Sequence, residues 1–225
     1  MSIEWCGITK AATLKKDVVK KAHALADAAK RYDWPQLFTL LENSPFGVNG
    51  CRPDGKSMYT PLHQAAHAGA PVEIVSRLIR LGAWRTLQNA RGERPLDVAV
   101  RKGHSHLFAI LTPVLQRQVP VGILLKIQQH FHAVIRGRVD DLVREHALRL
   151  PELEPLLELP APREPGSFTM WFAVPGMYGG FAYDLVADGV DAKLVTESWC
   201  RVFGGSGQRH EITSAGSLLV EEGFV

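Results

Sequence analysis

The chain of 225 residues contains few cysteines, little net charge and no long apolar run. Its three cysteines are widely spaced and odd in number, so they favour neither a disulfide framework nor a zinc motif and suit a reducing compartment. No segment approaches the roughly 20 consecutive apolar residues of a membrane-spanning helix. The net charge of +3 is small for a nucleic-acid-binding protein, in which basic residues usually cluster. These absences predict a cytoplasmic protein whose partners include neither membranes nor nucleic acids.

The composition is otherwise that of a globular protein. Hydrophobic residues make up 46% and charged residues 22% of the chain, which excludes extended disorder because disordered chains are too poor in apolar residues to fold. The N-terminal residues contain no apolar segment long enough for a signal peptide, in agreement with the expected cytoplasmic location.

A repeated pattern occupies the first half of the chain. The segment Tyr59–Gly69 reads YTPLHQAAHAG and is followed by the leucine-rich segment EIVSRLIRLGA. A further copy begins at Arg94, reads RPLDVAVRKGH and lies about one 33-residue period later. A weaker, earlier copy combines the alanine-rich segment Ala24–Ala29 with the leucine-rich segment Leu37–Leu41. Each copy predicts two short helices joined by a tight turn.

The residues of the copy that begins at Tyr59 explain why short helices are expected. Thr60 is suited to cap a helix N-terminus. The proline after it has no N–H group, which costs nothing at the first helical position because an N–H there would have no partner in the helix. Leu62, Ala65 and Ala66 follow the i, i+3, i+4 spacing of one apolar helix face. Gly69 stands where the helix must end in a left-handed conformation.

This pattern resembles the ankyrin repeat, whose signature is T-P-L-H-x-A and whose period is about 33 residues. The resemblance covers about residues 20–115, with Arg94 and Asp97 in place of the signature's threonine and histidine in the last copy. It implies a short ankyrin-type α-solenoid of about three helix-pair repeats, in which each pair buries its apolar face against its neighbours.

The second half of the chain changes in composition. The segments Ile123–Ile135 and Val139–Arg149, separated by Gly137, predict a further helical pair. Prolines between residues 151 and 165 then mark a boundary, since no helix continues through them. Beyond Gly166, aromatic and β-branched residues between glycine-containing turns predict a small antiparallel β-sheet of about four strands. The predicted strands span residues 168–174, 180–186, 193–203 and 209–213.

The expected fold class is therefore α+β, in three parts. Residues 1–115 form the ankyrin-repeat domain, residues 116–165 a helical connector with a proline-rich boundary, and residues 166–225 a small antiparallel β-rich unit. The resemblance does not extend to the C-terminal part, whose family is not recognised.

The resemblance to ankyrin repeats also implies a binding surface. Function in such arrays lies in the side chains of a concave groove, formed by the protruding turns and the exposed side of the first helices. The matching positions carry tyrosine, tryptophan and arginine, the residue types that anchor protein interfaces. The predicted partner-binding residues are Tyr59, His67, Trp84, Arg85, Gln88, Arg91, Glu93, Arg101 and Lys102.

The basic residues of this set favour an acidic patch on a protein partner. They are Arg85, Arg91, Arg101 and Lys102. We therefore expect a non-enzymatic protein–protein interaction module. One form of it is an immunity protein that neutralises a toxin, a role that suits a small repeat protein with an appended unit.

A polar set in the predicted sheet supports an alternative function. Because side chains alternate along a strand, Glu197, Trp199 and Arg201 share one face. Arg209 and Glu211 share a face of the next strand. If the two faces coincide, these residues form a polar pocket of an enzyme or a small-ligand binder. The competing interpretation is ion pairing between neighbouring strands on a solvent-exposed face.

The sequence offers no recognisable catalytic or metal-binding motif. The glycine-rich loop Gly204–Gly207 departs from the patterns of a nucleophile elbow and of a phosphate-binding loop. His63 and His67 are spaced as on one helix face, but the glutamate of the zinc-binding H-E-x-x-H motif is absent. We therefore expect no catalytic residues, no metal and no cofactor.

Overall fold

In a computed structural model of the chain, the described residues are 3–42, 44, 46–161, 167–200 and 205–223. They divide into two compact units, Ile8–Val114 and Met1–Gly7 with Leu115–Val225. No helix among the described residues combines the length and the apolar character needed to cross a membrane.

The unit Ile8–Val114 is built from paired helices. These are α1 (Lys16–Lys30) with α2 (Trp34–Leu41), α3 (Pro61–Ala68) with α4 (Val72–Arg80), and α5 (Pro95–Lys102) with α6 (Phe108–Leu111). The first helices form one layer, because α3 packs against both α1 and α5. The second helices α4 and α6 also contact each other.

Helix α3 begins and ends where the sequence predicts. The Thr60 hydroxyl accepts a hydrogen bond from the His63 backbone N–H, and Pro61 is the first helical residue. Gly69 follows the helix with a φ of 61°, the left-handed conformation expected of it. A β-carbon at Gly69 would lie 2.6 Å from the His104 ring, so the next helical pair also requires glycine here.

The predicted apolar face of α3 forms the centre of this unit's core. Leu62, Ala65 and Ala66 have no solvent exposure. Their small side chains allow the neighbouring helices to approach closely. Leucine and valine residues of the other helices pack around them, among them Leu25, Leu37, Val75, Leu78, Val98 and Leu107.

The other unit combines one long helix with a six-stranded sheet. The helix is α7 (Val121–Glu145). The strands are β1 (Ile3–Glu4), β2 (Met170–Val174), β3 (Gly179–Ala187), β4 (Lys193–Cys200), β5 (Ser206–Thr213) and β6 (Gly216–Glu222). They follow one another in sequence order across the sheet. Strand β1 is parallel to β2, and every other neighbouring pair is antiparallel.

The sheet differs from the prediction of about four antiparallel strands. Strand β1 comes from the N-terminus and has only two residues, too few for an alternating pattern to show. Strand β6 contains the consecutive exposed residues Leu218, Leu219 and Val220, which obscure the alternation of a half-buried strand. The predicted hairpin loop at Gly204 and the end of the third predicted strand lie partly outside the described residues.

The helical pair predicted around Gly137 is present, but its break lies two residues later than predicted. The helical conformation of α7 continues through Gly137 and is interrupted at Val139, whose φ of −147° and ψ of 34° are not helical, so two helices meet at a kink there. An interior glycine costs a helix only about 1 kcal/mol, which burial of an apolar face easily exceeds. That face consists of Leu124, Ile127, Phe131, Val134, Ile135 and Val143.

The division into units also differs from the three predicted parts. Residues 3–7 belong with the sheet rather than with the paired helices, because β1 pairs with β2. Residues 116–161 join the same unit. Arg117 ties this segment to β3 through a buried ion pair with Asp184 at 2.9 Å.

Candidate binding groove

Two adjoining pockets lie along the first helices of the unit Ile8–Val114. One has a volume of about 350 Å³ and is lined by Lys56, Ser57, Tyr59, His67, Ala90, Arg91 and Arg101. The other, of about 440 Å³, is lined by Ala26, Asp27, Lys30, Arg52, Gly55, Lys56, Ser57, Tyr59 and Gln64. Lys56, Ser57 and Tyr59 line both pockets, so together these pockets form one surface, which we call the groove.

The turn before α5 is held in place by one buried asparagine. Asn89 Oδ1 accepts hydrogen bonds from the backbone N–H groups of Arg91, at 2.7 Å, and Glu93, at 3.1 Å. The backbone N–H of Ala90 donates to the carbonyl oxygen of Ser57 at 3.0 Å. This contact links two successive turns and fixes the wall of the groove between them.

Tyr59 occupies the centre of the groove. Its ring stacks on that of His63 with a centroid separation of 5.4 Å and meets His67 edge-on at 6.1 Å. His63 is buried, and its Nε2 lies 3.1 Å from the carbonyl oxygen of Glu93. The histidine of the repeat signature therefore supports both Tyr59 and the next turn.

An ion pair closes one end of the groove. Arg101 donates to Glu93 through Nε, at 2.7 Å, and through Nη2, at 3.2 Å. Hydrogen bonds lower the pKa of Glu93 from 4.5 to about 2, and the largest contribution comes from Arg101 and the next from Asn89. The pKa of Arg101 is raised, mainly by its hydrogen bonds to Glu93 and to a smaller extent by that to Tyr59. Glu93 thus compensates the charge of Arg101 within the site.

Three other cations of the groove form no such ion pair, although the charge of Arg91 also helps to lower the pKa of Glu93. Lys30, Lys56 and Arg91 line the two pockets, and none of them forms an ion pair with a residue that the structure describes. Asp27, in contrast, is paired with Arg52. The groove therefore presents an excess of positive charge to a bound molecule.

Tyr32 extends the groove to the first helical pair. It follows α1 with a φ of 62°, so it adopts the left-handed conformation that Gly69 and Gly103 have after α3 and α5. Its hydroxyl lies 3.0 Å from Nδ1 of His67. Burial lowers the pKa of His67, and the charges of Lys102, Arg101 and His104 lower it further, so the ring is neutral at neutral pH.

The predicted groove residues fall into two groups. Tyr59, His67, Arg91 and Arg101 line the groove, with Glu93 held by Arg101. Lys102 is exposed at the end of α5 and acts on His67 through its charge.

Like Glu93 and Lys102, the remaining three predicted residues line neither pocket. Trp84 is 4% exposed and belongs to the core, and its backbone N–H donates to Asn49 Oδ1. Arg85 donates from Nε to the carbonyl oxygen of Ile110 at 3.0 Å, and Gln88 is half-buried. The segment after α4 thus packs inward, a feature that residue type alone does not reveal.

Sequence reasoning also missed residues that line the groove. Lys30 and Arg52 lie in or beside the first pair, where the repeat signature is degenerate. Tyr32 adjoins the groove through His67 and stands at the turn where the other copies have Gly69 and Gly103. The sequence places it at this turn but gives no sign that its hydroxyl reaches the second helical pair.

The alternative polar set of the sheet forms pairs rather than one cluster. Arg209 donates to Glu197 at 3.0 Å across two strands, and Lys193 donates to Glu211 at 2.9 Å. Trp199 stacks on Trp171 with a centroid separation of 4.7 Å. Arg201 lies outside the described residues.

The described histidine, cysteine and acidic residues include no group of three or more that could hold a metal ion. The titratable side chains gathered in the groove are instead tied to one another by hydrogen bonds, as in the Tyr59–Arg101–Glu93 series. Chemically, this arrangement is suited to recognition of an anionic surface.

Comparison with known proteins identifies the repeats. The family model for the ankyrin repeat matches residues 58–90. The NAD-capped RNA hydrolase NUDT12 of Homo sapiens is 32% identical over 99 residues, which are 44% of this chain and 20% of that protein. The Notch-regulated ankyrin repeat-containing protein A of Danio rerio is 33% identical over 88 residues, which are 38% of this chain and 75% of that protein. The chain thus spans a fifth of the human relative and three quarters of the fish relative. From these matches and the capped, glycine-terminated helix α3, we conclude that the chain belongs to the ankyrin-repeat family.

Proposed function

We propose that the chain is a non-enzymatic binding protein that holds a protein partner in the groove of a three-repeat ankyrin stack. The observation that carries this proposal is the continuous row of side chains Tyr32, His67, Tyr59, Arg101 and Glu93, which extends across all three helical pairs. Such a prearranged row reduces the conformational entropy that its side chains lose on binding.

The charge of the groove favours a partner that presents an acidic segment. Lys56 and Arg91 line the same pocket as Tyr59, and neither forms an ion pair with a described residue. An acidic side chain of the partner placed between them would be attracted by both cations while packing on the Tyr59 ring. Complementary charge of this kind raises the association rate and excludes basic partners.

The state of the groove carboxylate supports binding rather than catalysis. Glu93 has a pKa of about 2, far below the range in which a carboxyl exchanges protons at neutral pH. The relative named as an NAD-capped RNA hydrolase shares only a fifth of its length with this chain, which gives no ground for assigning hydrolysis here. We therefore propose neither a catalytic residue nor a cofactor for the groove.

The groove proposal can be tested with charge-reversed baits. Lys56→Glu combined with Arg91→Glu reverses two groove cations. Arg80→Glu reverses an exposed cation of α4 outside both pockets and serves as the matched control. In quantitative pull-downs from the native cell, the wild type and the control recover the same partner. The double variant recovers it about tenfold less well or worse. Equal recovery by all three baits would refute the groove as the binding surface.

One form of the proposed partner is a toxin, which this chain would neutralise in the cytoplasm as an immunity protein. Co-expression with toxins encoded near its gene tests this form. The wild-type chain is expected to restore growth, whereas the Lys56→Glu, Arg91→Glu double variant is not. Failure to protect against any of these toxins excludes the immunity role and leaves the pull-down result as the measure of the groove itself.

A further inference from the structure

Polar atoms are buried without partners in the unit that contains the sheet. They are Tyr183 Oη, Ser198 Oγ, His210 Nδ1 and Arg138 Nε, and none of them has a hydrogen-bond partner among the described residues. Tyr183 and Ser198 are 0% and 1% exposed. Most buried polar atoms in native proteins are paired with the protein or with ordered water, so several unpaired ones in one region leave hydrogen-bonding capacity for a bound molecule.

Three of these atoms come from adjacent strands and share one face of the sheet. Tyr183 on β3 is opposite Thr196 on β4, which is opposite His210 on β5. Ser198 lies two residues beyond Thr196 and therefore faces the same side. Diagonal neighbours of this kind are about 7–8 Å apart, close enough to contact one small molecule. The Thr196 hydroxyl itself is satisfied by the carbonyl oxygen of Ala182.

Helix α7 supplies the fourth atom and an aromatic surface over the same face. The Phe131 ring lies 5.0 Å from that of Tyr183 and 6.3 Å from that of Phe181. Seven residues further along the helix, Arg138 donates from Nη2 to Ser206 Oγ at 2.9 Å, which leaves its Nε unused. The helical conformation is interrupted at the next residue, Val139.

The protonation states leave the hydroxyls of Tyr183 and Ser198 as hydrogen-bond donors beside the cation of Arg138. Burial, followed by the charges of Asp184 and Glu152, raises the pKa of Tyr183, so its hydroxyl stays protonated. Burial, followed by the charge of Arg138, lowers the pKa of His210, so its ring is neutral. Glu222 is the acidic group whose charge acts on the pKa values of both Arg138 and His210. Its Oε1 already accepts a hydrogen bond from Gln208.

We propose that this patch, which we call the inner-face site, binds a small aromatic carboxylate between α7 and the sheet. The carboxylate accepts hydrogen bonds from the unused donors and compensates the charge of Arg138, while the aromatic ring packs against Phe131 and Phe181. A monoanion fits better than a phosphate, because the surrounding aromatic residues provide no compensation for a second buried charge. The residues differ from the polar set that the sequence suggested, whose described members Glu197, Trp199, Arg209 and Glu211 lie on the opposite face.

Calorimetric titration of the full chain tests this site. The probes are phenylacetate and 4-hydroxybenzoate, with benzyl alcohol and phenethylamine as neutral and cationic counterparts. We expect heat of binding from the carboxylates and none from the amine. Arg138→Gln removes the cation and is expected to abolish the preference for carboxylates over the alcohol.

Two conservative variants separate binding from folding. Tyr183→Phe and Ser198→Ala each remove one unpartnered hydroxyl, so each is expected to keep or raise the thermal midpoint while weakening carboxylate binding about fivefold. Tyr178→Phe is the matched control, because Tyr178 is 74% exposed in the turn before β3. It leaves both measurements unchanged.

Three results would overturn the proposal. The first is the absence of carboxylate binding up to about 5 mM, a concentration that detects even millimolar affinity. The second is an affinity that neither Tyr183→Phe nor Ser198→Ala changes. The third is a lower thermal midpoint in Tyr183→Phe, which would show that this hydroxyl already has a partner. None of these results depends on whether the groove binds a protein.

Discussion

The hydroxyl of Tyr59 accepts a hydrogen bond from Nη2 of Arg101 at 3.1 Å, although the two residues belong to successive helical pairs. Arg101 also donates through Nε and Nη2 to Glu93, in the turn before its own helix. Arg101 therefore links two repeats and keeps Tyr59 in a fixed position. Because Glu93 compensates the charge of Arg101, the charge reversal that tests the proposed groove is made at Lys56 and Arg91 instead.

Replacing Glu93 with glutamine is expected to remove part of the pH dependence of stability. The pKa of Glu93 is about 2 in the folded protein against an ordinary value of 4.5. A carboxyl whose pKa is lower in the folded state stabilises the fold above its unfolded pKa and loses this contribution as the pH falls towards its folded pKa. The wild type should therefore have a larger free energy of unfolding than Glu93→Gln above pH 4.5. Urea unfolding should show this difference disappearing between pH 4.5 and about 2.

Glu73→Gln is the control for this experiment, because Glu73 is exposed at the start of α4. If the free energies of unfolding of the wild type and Glu93→Gln differ by the same amount over the whole pH range, the predicted role of the Arg101 contact is wrong.

The paired helices could be predicted from the sequence because their signals are local. Thr60 caps the helix that contains its partner His63, and Gly69 ends the same helix. Each of these signals involves residues close together in the sequence, so tertiary packing has little influence on where the helix begins and ends. The same reasoning explains why Tyr59, His67 and Arg101, whose positions these helices set, line the groove, while their role in binding a partner stays a prediction.

The features that escaped prediction depend on distant contacts. Strand β1 exists only because Ile3 pairs with Met170 at the other end of the chain. Trp84 is an apolar residue in a turn, and only the packing of the finished unit decides that it is buried. The unpaired hydroxyls of Tyr183 and Ser198 carry no sequence signal, because a missing partner is a property of the folded core.

Gly69→Ala is expected to destabilise the unit of paired helices more than Gly103→Ala does. Both glycines end a helix with positive φ, 61° and 74°, and alanine in this conformation costs about 1–2 kcal/mol. A β-carbon at Gly69 would also lie 2.6 Å from the His104 ring, whereas one at Gly103 has no described atom within 4 Å. Urea unfolding should show a larger loss for Gly69→Ala, and equal losses would rule out the steric contact with His104.

Arg117→Met is expected to cost about 3–5 kcal/mol of unfolding free energy, because it leaves the Asp184 carboxylate buried without its cation. The side chains of this pair are 6% and 1% exposed, and their contact is 2.9 Å long. Arg209→Met is the matched control, since the pair of Arg209 with Glu197 is 35% and 24% exposed and such pairs contribute about 0.2–1 kcal/mol. Chemical denaturation measures the loss of unfolding free energy in each variant. If Arg117→Met loses as little as Arg209→Met, water reaches Asp184 and the prediction is wrong.

Gly137→Ala is expected to stabilise the unit that contains the sheet by about 0.4–1 kcal/mol. Gly137 lies inside α7 without a positive φ, and a β-carbon there has no described atom within 4 Å. Alanine in such a position favours the helix and restricts the unfolded chain. The variant also tests where the helical conformation of α7 breaks. If the break lay at Gly137 itself, in a left-handed conformation, alanine would destabilise the protein by about 1 kcal/mol or more. Thermal and urea unfolding of Gly137→Ala, beside Gly122→Ala in the first turn of α7, give the sign of the effect and therefore show whether the break lies at Gly137 or beyond it, at Val139.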